Sequence, residues 1–291
     1  MEHPSPYPRP LPAGFGQRWL EQDFGWLRLV AGGRGPALFL VHGLGGSAED
    51  FYDLAPLLAQ RFTCLLPTLP GFGLSHKPDA PYGVTWFAGQ MASLAGALGI
   101  SRAHWLGHSL GGQIVLVLAR EHPALARRVV ALCPSGGQPP LSRSQKCLHA
   151  LMSWGDRLRW YHPGMLRLAA AYIFKQPLWG QPTWPDFPQF AQRLQAQWAG
   201  PERPLRERAI IRAARGMLEL PLAGQLHNLS TPVLLLEGLG DHVTPAEQIQ
   251  RLWESLPPGQ MRARLPGGHM VPYLAPQELA QQVLDFLESG R

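Results

Sequence analysis

Gly107-His108-Ser109-Leu110-Gly111 is the stretch of this chain best suited to present a nucleophile. It lies between an apolar run, Ala103 to Leu106, and a helical stretch, Leu110 to Glu121, so the serine is expected where a strand turns sharply into a helix. Small neighbours are needed there because side chains would collide where the two elements close together. The helix start beneath the serine can stabilise developing negative charge. A hydroxyl is still a weak nucleophile near neutral pH, so a base must take its proton and later return it to the leaving group. His108 adjoins the serine but points elsewhere in so tight a turn, and it is read as a structural imidazole packed beside it.

Among eleven histidines, His269 has the context of a base. It sits in Leu265-Pro266-Gly267-Gly268-His269-Met270, just after the strand-like run Met261 to Leu265, in the kind of loop where open α/β sheets place their ligands. A carboxylate should hold that imidazole in its useful tautomer and stabilise the imidazolium once formed. Asp156, Asp186 and Asp241 lie between Ser109 and His269. The first two fall in irregular sequence, whereas Asp241 follows a strand-like run in the turn Gly238-Leu239-Gly240-Asp241, and it is the expected acid. Glu237 is the fallback, with a strand-end role the better reading for it. Val41-His42-Gly43-Leu44-Gly45-Gly46 closes an early strand in a glycine-rich loop. Glycines let backbone N–H groups approach a tetrahedral oxyanion, and the donors are assigned to Leu44 and Leu110. Phosphate binding competes for such a loop, but no G-x-x-x-x-G-K-[ST] pattern is present.

The elements that must position these residues follow an α/β rhythm. Short runs at Ala37 to Val41, Phe62 to Leu66, Ala103 to Leu106, Val129 to Leu132 and Val233 to Leu236 read as buried parallel strands. Helices are expected at Trp86 to Leu98, Leu110 to Glu121 and Pro276 to Leu287, with Gly99 and Pro123 as stop signals. Thr244-Pro245-Ala246-Glu247 reads as a capping box with proline at the first helical position. The fold class is therefore α/β, a mostly parallel, doubly wound sheet flanked by helices. Between Ser135 and about Leu222 the alternation gives way to Trp-, Pro- and Arg-rich sequence with helical pieces such as Leu205 to Leu220. That stretch is read as a helical insertion, dividing the chain into a first core part (1–134), a cap (135–222) and a second core part (223–291).

Composition narrows the function classes. A 45% hydrophobic and 16% charged balance suits a compact globular protein. The formal net charge of +6 comes from scattered arginines rather than a recognition element, which argues against nucleic-acid binding. No apolar run approaches the length of a membrane span, so no stable membrane insertion is expected, and the proline-rich start lacks a secretory pattern. Cys64, Cys133 and Cys147 form no C-x-x-C pair, which together with the start suggests a cytoplasmic protein. No metal or organic cofactor is called for.

At this point the chain resembles the α/β-hydrolase superfamily, in its capped branch. The resemblance rests on His42-Gly43, the Leu69-Pro70-Gly71-Phe72-Gly73-Leu74-Ser75 loop, the Gly107 to Gly112 elbow, the Gly238 to Asp241 turn and Gly268-His269, all in family order. Thr68 departs from an aspartate often found before that loop, a position that supports loop structure rather than chemistry. The order Ser, Asp, His is that of this superfamily, and Ser109 stands where its dehalogenases and epoxide hydrolases carry aspartate. The resemblance implies a cap over the site, here holding Trp154, Trp160, Tyr161, Tyr172, Phe174, Trp179, Trp184 and Trp198. Most of these suit the cap's own core, and together they suit an apolar acyl or alcohol group. Arg157, Arg159, Arg167, Arg206, Arg208 and Arg212 read as a solvated helical face. A carboxylesterase acting on a small-molecule ester is the resulting expectation. Carbon–carbon bond hydrolysis of the meta-cleavage-product type, and lipase, amidase or perhydrolase activity, remain open within the class. A catalytically silent ligand-binding relative is the reading outside it, and the oligomeric state is left open.

Overall fold

A computed structural model describes residues 9–143, 150 and 202–289. Eight strands form one sheet: β1 (Phe15–Gln22), β2 (Gly25–Gly33), β3 (Ala37–Val41), β4 (Thr63–Pro67), β5 (Ala103–His108), β6 (Ala126–Leu132), β7 (Val233–Gly238) and β8 (Met261–Leu265). Their spatial order is β1-β2-β4-β3-β5-β6-β7-β8. Strands β3 to β8 pair in parallel, while β1–β2 and β2–β4 are antiparallel.

Burial on both faces explains the apolar runs. In β6, Val129 and Ala131 face one hydrophobic layer while Val130 and Leu132 face the other, and β7 divides in the same way. Strand geometry sends alternate side chains to opposite faces, so a strand covered on both sides must be apolar at every position. One layer is closed by helices α2 (Val84–Ala97), α3 (Leu110–Glu121), α4 (Arg203–Glu219) and α5 (Ala246–Ser255). The other is closed by α1 (Ala55–Leu58), α6 (Val271–Leu274) and α7 (Pro276–Glu288). Phe39 and Trp105, register partners on β3 and β5, stack with centroids 4.2 Å apart inside the first layer.

The six expected strands and the helices are present, with small shifts at their ends. Strands β1 and β2 were not expected. β1 is an edge strand whose side chains are mostly exposed or half-buried, so it carries no apolar run. In β2 the run is interrupted by Arg28, which is buried because Glu49 accepts a 2.7 Å ion pair from it and Tyr52 and Gln17 accept further bonds. The expected capping box at Thr244 does not form. Pro245 is the N-cap, α5 begins at Ala246, and the Thr244 hydroxyl is turned onto Asp241 instead. Of the expected insertion, α4 is described, while the aromatic residues from Trp154 to Trp198, Arg157, Arg159, Arg167 and Cys147 lie outside the described residues. Among the described residues no helix is long and apolar enough to cross a membrane.

Candidate active site

The carboxyl ends of β3, β5, β6, β7 and β8 meet along one rim, and each contributes to a single cluster. Ser109 follows β5 as the N-cap of α3 with φ 56° and ψ −117°. A non-glycine residue there costs about 1–3 kcal/mol, a strain that the surroundings must hold in place. Backbone bonds do so: Ser109 N–H donates to the Leu132 carbonyl at 2.9 Å, and the Ser109 carbonyl accepts from Gln113 and Ser135 N–H groups. The turn also demands glycine on both sides. A Cβ on Gly107 would stand 2.1 Å from the Gly111 carbonyl oxygen, and one on Gly111 2.0 Å from that of Val41.

His269 lies in a 3-10 turn, Gly268–Met270, between β8 and α6. Its Nδ1 is 2.7 Å from Asp241 Oδ2. Asp241 ends the β7 turn, and its other oxygen accepts from the N–H groups of Val243 at 2.7 Å and Thr244 at 2.9 Å. The Thr244 hydroxyl adds a 2.7 Å bond to Oδ2. Burial pushes the Asp241 carboxyl up, but the His269 contact and the Thr244 donors outweigh it and bring the group down to about 2. The carboxylate is therefore ionised and aimed, and a hydrogen-bonded Nδ1 leaves Nε2 as the imidazole's free position. Among the described residues the Ser109 hydroxyl makes no hydrogen bond to His269; such contacts are often long in unliganded sites.

Of the two leucines expected as oxyanion donors, Leu110 directly follows the serine and Leu44 follows Gly43. A Cβ on Gly43 would lie 3.1 Å from Ser109 Cβ, which brings the start of the Gly43–Gly46 loop against the nucleophile turn. Leu110 is the first residue of α3, whose leading N–H groups have no intrahelical partner. Among the described residues neither the Leu44 nor the Leu110 N–H is used in a hydrogen bond. His42 supports the loop from beneath: its Nε2 accepts from Leu69 N–H at 2.9 Å and its Nδ1 lies 2.8 Å from the Gly43 carbonyl. Thr68 does support the neighbouring loop, accepting from Ala48 N–H through its hydroxyl and from the Ser75 hydroxyl through its carbonyl.

Glu237 takes the strand-end role that was the better reading for it, pairing with Arg262 at 2.7 Å and Arg264 at 3.1 Å across β7 and β8. Other residues fall differently from their sequence reading. His108 does more than pack, because its Nε2 lies 2.8 Å from the His269 carbonyl oxygen. Arg212 and Arg208 are not a solvated face: both pair with Asp79, at 2.6 and 3.4 Å, seating α4 on the segment before α2. Gln113, one turn beyond Ser109, donates to the Met217 and Leu220 carbonyls and so ties the end of α4 to the nucleophile helix. Gln113 went unnoticed in the sequence, and Thr244 was read only as a helix cap, because their partners are set by chain packing.

Cys133, Asp241 and His269 present ligand-type atoms within 4.8 Å of one another. Metal binding there would require a thiolate, and burial pushes the Cys133 thiol well above its ordinary value, helped by the negative Asp241. The arrangement suits proton transfer better than metal ligation.

The fold has counterparts in known proteins. A hydrolase from Pseudomonas aeruginosa superposes with a TM-score of 0.76 at 25% identity, covering 95% of this chain and 100% of that one. The pimeloyl-[acyl-carrier protein] methyl ester esterase of Aeromonas hydrophila is 28% identical over 275 residues, 88% of this chain and 96% of that protein. An uncharacterized protein of Mycobacterium tuberculosis is 39% identical over 104 residues, 36% of this chain, and the match spans 30% of that protein's length. The model of the alpha/beta hydrolase family matches residues 38–282, from β3 into α7. The chain belongs to the alpha/beta hydrolase family.

Proposed function

We propose that the protein is a serine hydrolase that cleaves carboxylic esters with apolar acyl or alcohol groups. The observation that carries this reading is the 2.7 Å contact between His269 Nδ1 and a fully satisfied Asp241 carboxylate, on the same rim as a serine held in a strained strand-to-helix turn. The name of the methyl ester esterase relative supports ester chemistry.

In this reading Ser109 Oγ attacks the ester carbonyl carbon while its proton passes to His269 Nε2. Asp241 keeps Nδ1–H oriented and stabilises the imidazolium. The Leu44 and Leu110 N–H groups receive the oxyanion, whose charge they stabilise without reorganising. Collapse of the tetrahedral species expels the alkoxide, which takes the proton from Nε2, and leaves an acyl ester on Ser109. Water then attacks that ester, giving its proton to Nε2; the second collapse returns the proton to Ser109 Oγ and releases the acid. In this reading α4 belongs to a cap over the rim. The test is covalent labelling by a fluorophosphonate together with turnover of p-nitrophenyl esters of graded acyl length. Ser109→Ala is expected to abolish both, and equal labelling of the two forms would overturn the assignment.

A further inference from the structure

The loop that carries His269 has little regular structure to hold it. Its two leading glycines, Gly267 and Gly268, sit at φ 108° and 57°, and its short turn closes with one bond from Met270 N–H to the Gly267 carbonyl. Asp241 fixes the imidazole at a single point, Nδ1, and a ring held at one point can still swing as its loop shifts. A second point is fixed on the main chain. His108, the residue before the nucleophile and the last of β5, is buried, and its Nε2 meets the His269 carbonyl oxygen at 2.8 Å. The two rings lie with centroids 4.8 Å apart and planes tilted by 46°, so the contact is a side-chain-to-backbone bond beside the base rather than a stack over it.

The acceptor decides the tautomer. A carbonyl oxygen offers no proton, so Nε2 of His108 must carry one, and Nδ1 is left bare. Burial, and then the neighbouring His269, hold the His108 imidazole down at about 3, so the donor is uncharged at any ordinary pH. Neutrality matters for the chemistry. A lysine or arginine donor in the same place would set a fixed positive charge beside a ring that must itself become positive in the transition state. A neutral N–H supplies the bond without that opposition.

We propose that His108 is a positioning residue: its Nε2–H holds the main chain of His269, locking the loop of the base to the turn of the nucleophile so that the two keep a fixed separation. The inference rests on the proposed role of His269 as base. It adds a mechanical requirement that the triad alone does not contain, since the same β5 end then sets both the serine and the imidazole that serves it.

Two variants separate this role from packing. His108→Phe keeps a buried ring and removes the donor; His108→Gln places an amide N–H within reach of the same carbonyl. Misplacing a catalytic group by about an ångström can cost on the order of 100-fold, so His108→Phe is expected to lower kcat, and the rate of fluorophosphonate labelling, by about 10- to 100-fold with KM little changed. His108→Gln is expected to recover kcat to within about fivefold of wild type. Wild-type kcat in His108→Phe, or an equal loss in both variants, would overturn the inference. Should His108→Phe fail to fold, long-range 1H–15N spectra of the wild-type histidines decide the matter: a proton on His108 Nε2 is expected, and one on Nδ1 overturns it. Failure of the wild type itself to label at Ser109 would instead sink the proposed function, and this inference with it.

Discussion

The Tyr273 hydroxyl donates to Asp50 Oδ1 at 2.6 Å, joining residues 223 positions apart in sequence. Asp50 belongs to the 3-10 turn that ends the oxyanion loop, where its second oxygen accepts from Ser47 N–H, and Tyr273 lies on α6 just beyond His269. The bond thus ties the loop proposed to hold the oxyanion to the loop proposed to carry the base.

Tyr273→Phe removes only the hydroxyl. Loss of a hydrogen bond to a charged group costs about 1.5–3 kcal/mol, so denaturant unfolding should show a destabilisation of that order. If the bond also aligns the two loops, kcat/KM for an ester should fall by about tenfold. Unchanged turnover in a destabilised variant would limit the bond to stability.

Thr244 offers a sharper handle on the acid. Its hydroxyl donates to Asp241 Oδ2 at 2.7 Å, the same oxygen that meets His269. Thr244→Val keeps the shape and leaves that oxygen with one donor fewer, so Asp241 should lose part of its downward displacement and some of its aim. A kcat decrease of about three- to tenfold is expected, far short of the roughly 10^3- to 10^4-fold loss expected for Asp241→Asn, where the imidazole tautomer is lost. Equal losses in the two variants would contradict this division of labour.

How much of this could be read beforehand follows from the range of each interaction. The central strands were legible because burial on both faces forces continuous apolar runs such as Val233 to Leu236. The turn at Ser109 was legible because local crowding dictates glycine at positions 107 and 111. Strand β2 was hidden by Arg28, whose burial depends on Glu49, a partner in another element. Thr244 was misread as a cap because a threonine before a helix has two uses, and only the arrival of Asp241 beside it decides between them. The Tyr273–Asp50 and His108–His269 contacts join residues too far apart for local pattern to indicate.

The carboxyl of Asp241 makes acid stability measurable. Its folded value of about 2 lies below the ordinary 3.8, so the unfolded chain takes up the proton first as pH falls. The stabilisation is fully present above about pH 4 and is lost as pH falls toward 2, to a total of about 2 kcal/mol. Asp241→Asn should lack that component, and its unfolding free energy should fall less steeply than wild type between about pH 4 and pH 2. Parallel curves over that window would show that the carboxylate is not held down in the native protein.

Buried imidazoles act over a higher range. Burial brings His42 down to about 4 and His108 to about 3, from an ordinary 6.5, so both remain neutral in the folded chain while the unfolded chain protonates. For such groups the stability is complete above 6.5 and declines as pH falls toward the folded values, with each contributing a slope of about 1.4 kcal/mol per pH unit. His108→Gln should remove one of the two slopes, leaving a variant that is less acid-sensitive between pH 6 and about pH 4 whatever its stability at neutral pH. Urea titrations at several pH values test this, and an undiminished slope would mean that His108 gains no proton on unfolding.

The Arg28–Glu49 pair tests what the edge of the sheet contributes to the site. Both side chains are almost fully buried, the contact is 2.7 Å, and Glu49 lies on the 3-10 turn next to Asp50. Charges removed from water this completely are tolerable only together, because the attraction in the interior offsets a desolvation cost that neither could meet alone. Glu49→Gln keeps the volume and abandons the Arg28 cation, so it should cost about 3–5 kcal/mol, whereas Arg28→Met combined with Glu49→Leu should recover about half of that or more. Denaturant unfolding of the single and double variants measures the difference directly. A single variant within about 1 kcal/mol of wild type would mean that water reaches Arg28, and the brace beneath the oxyanion loop would then be weaker than its burial implies.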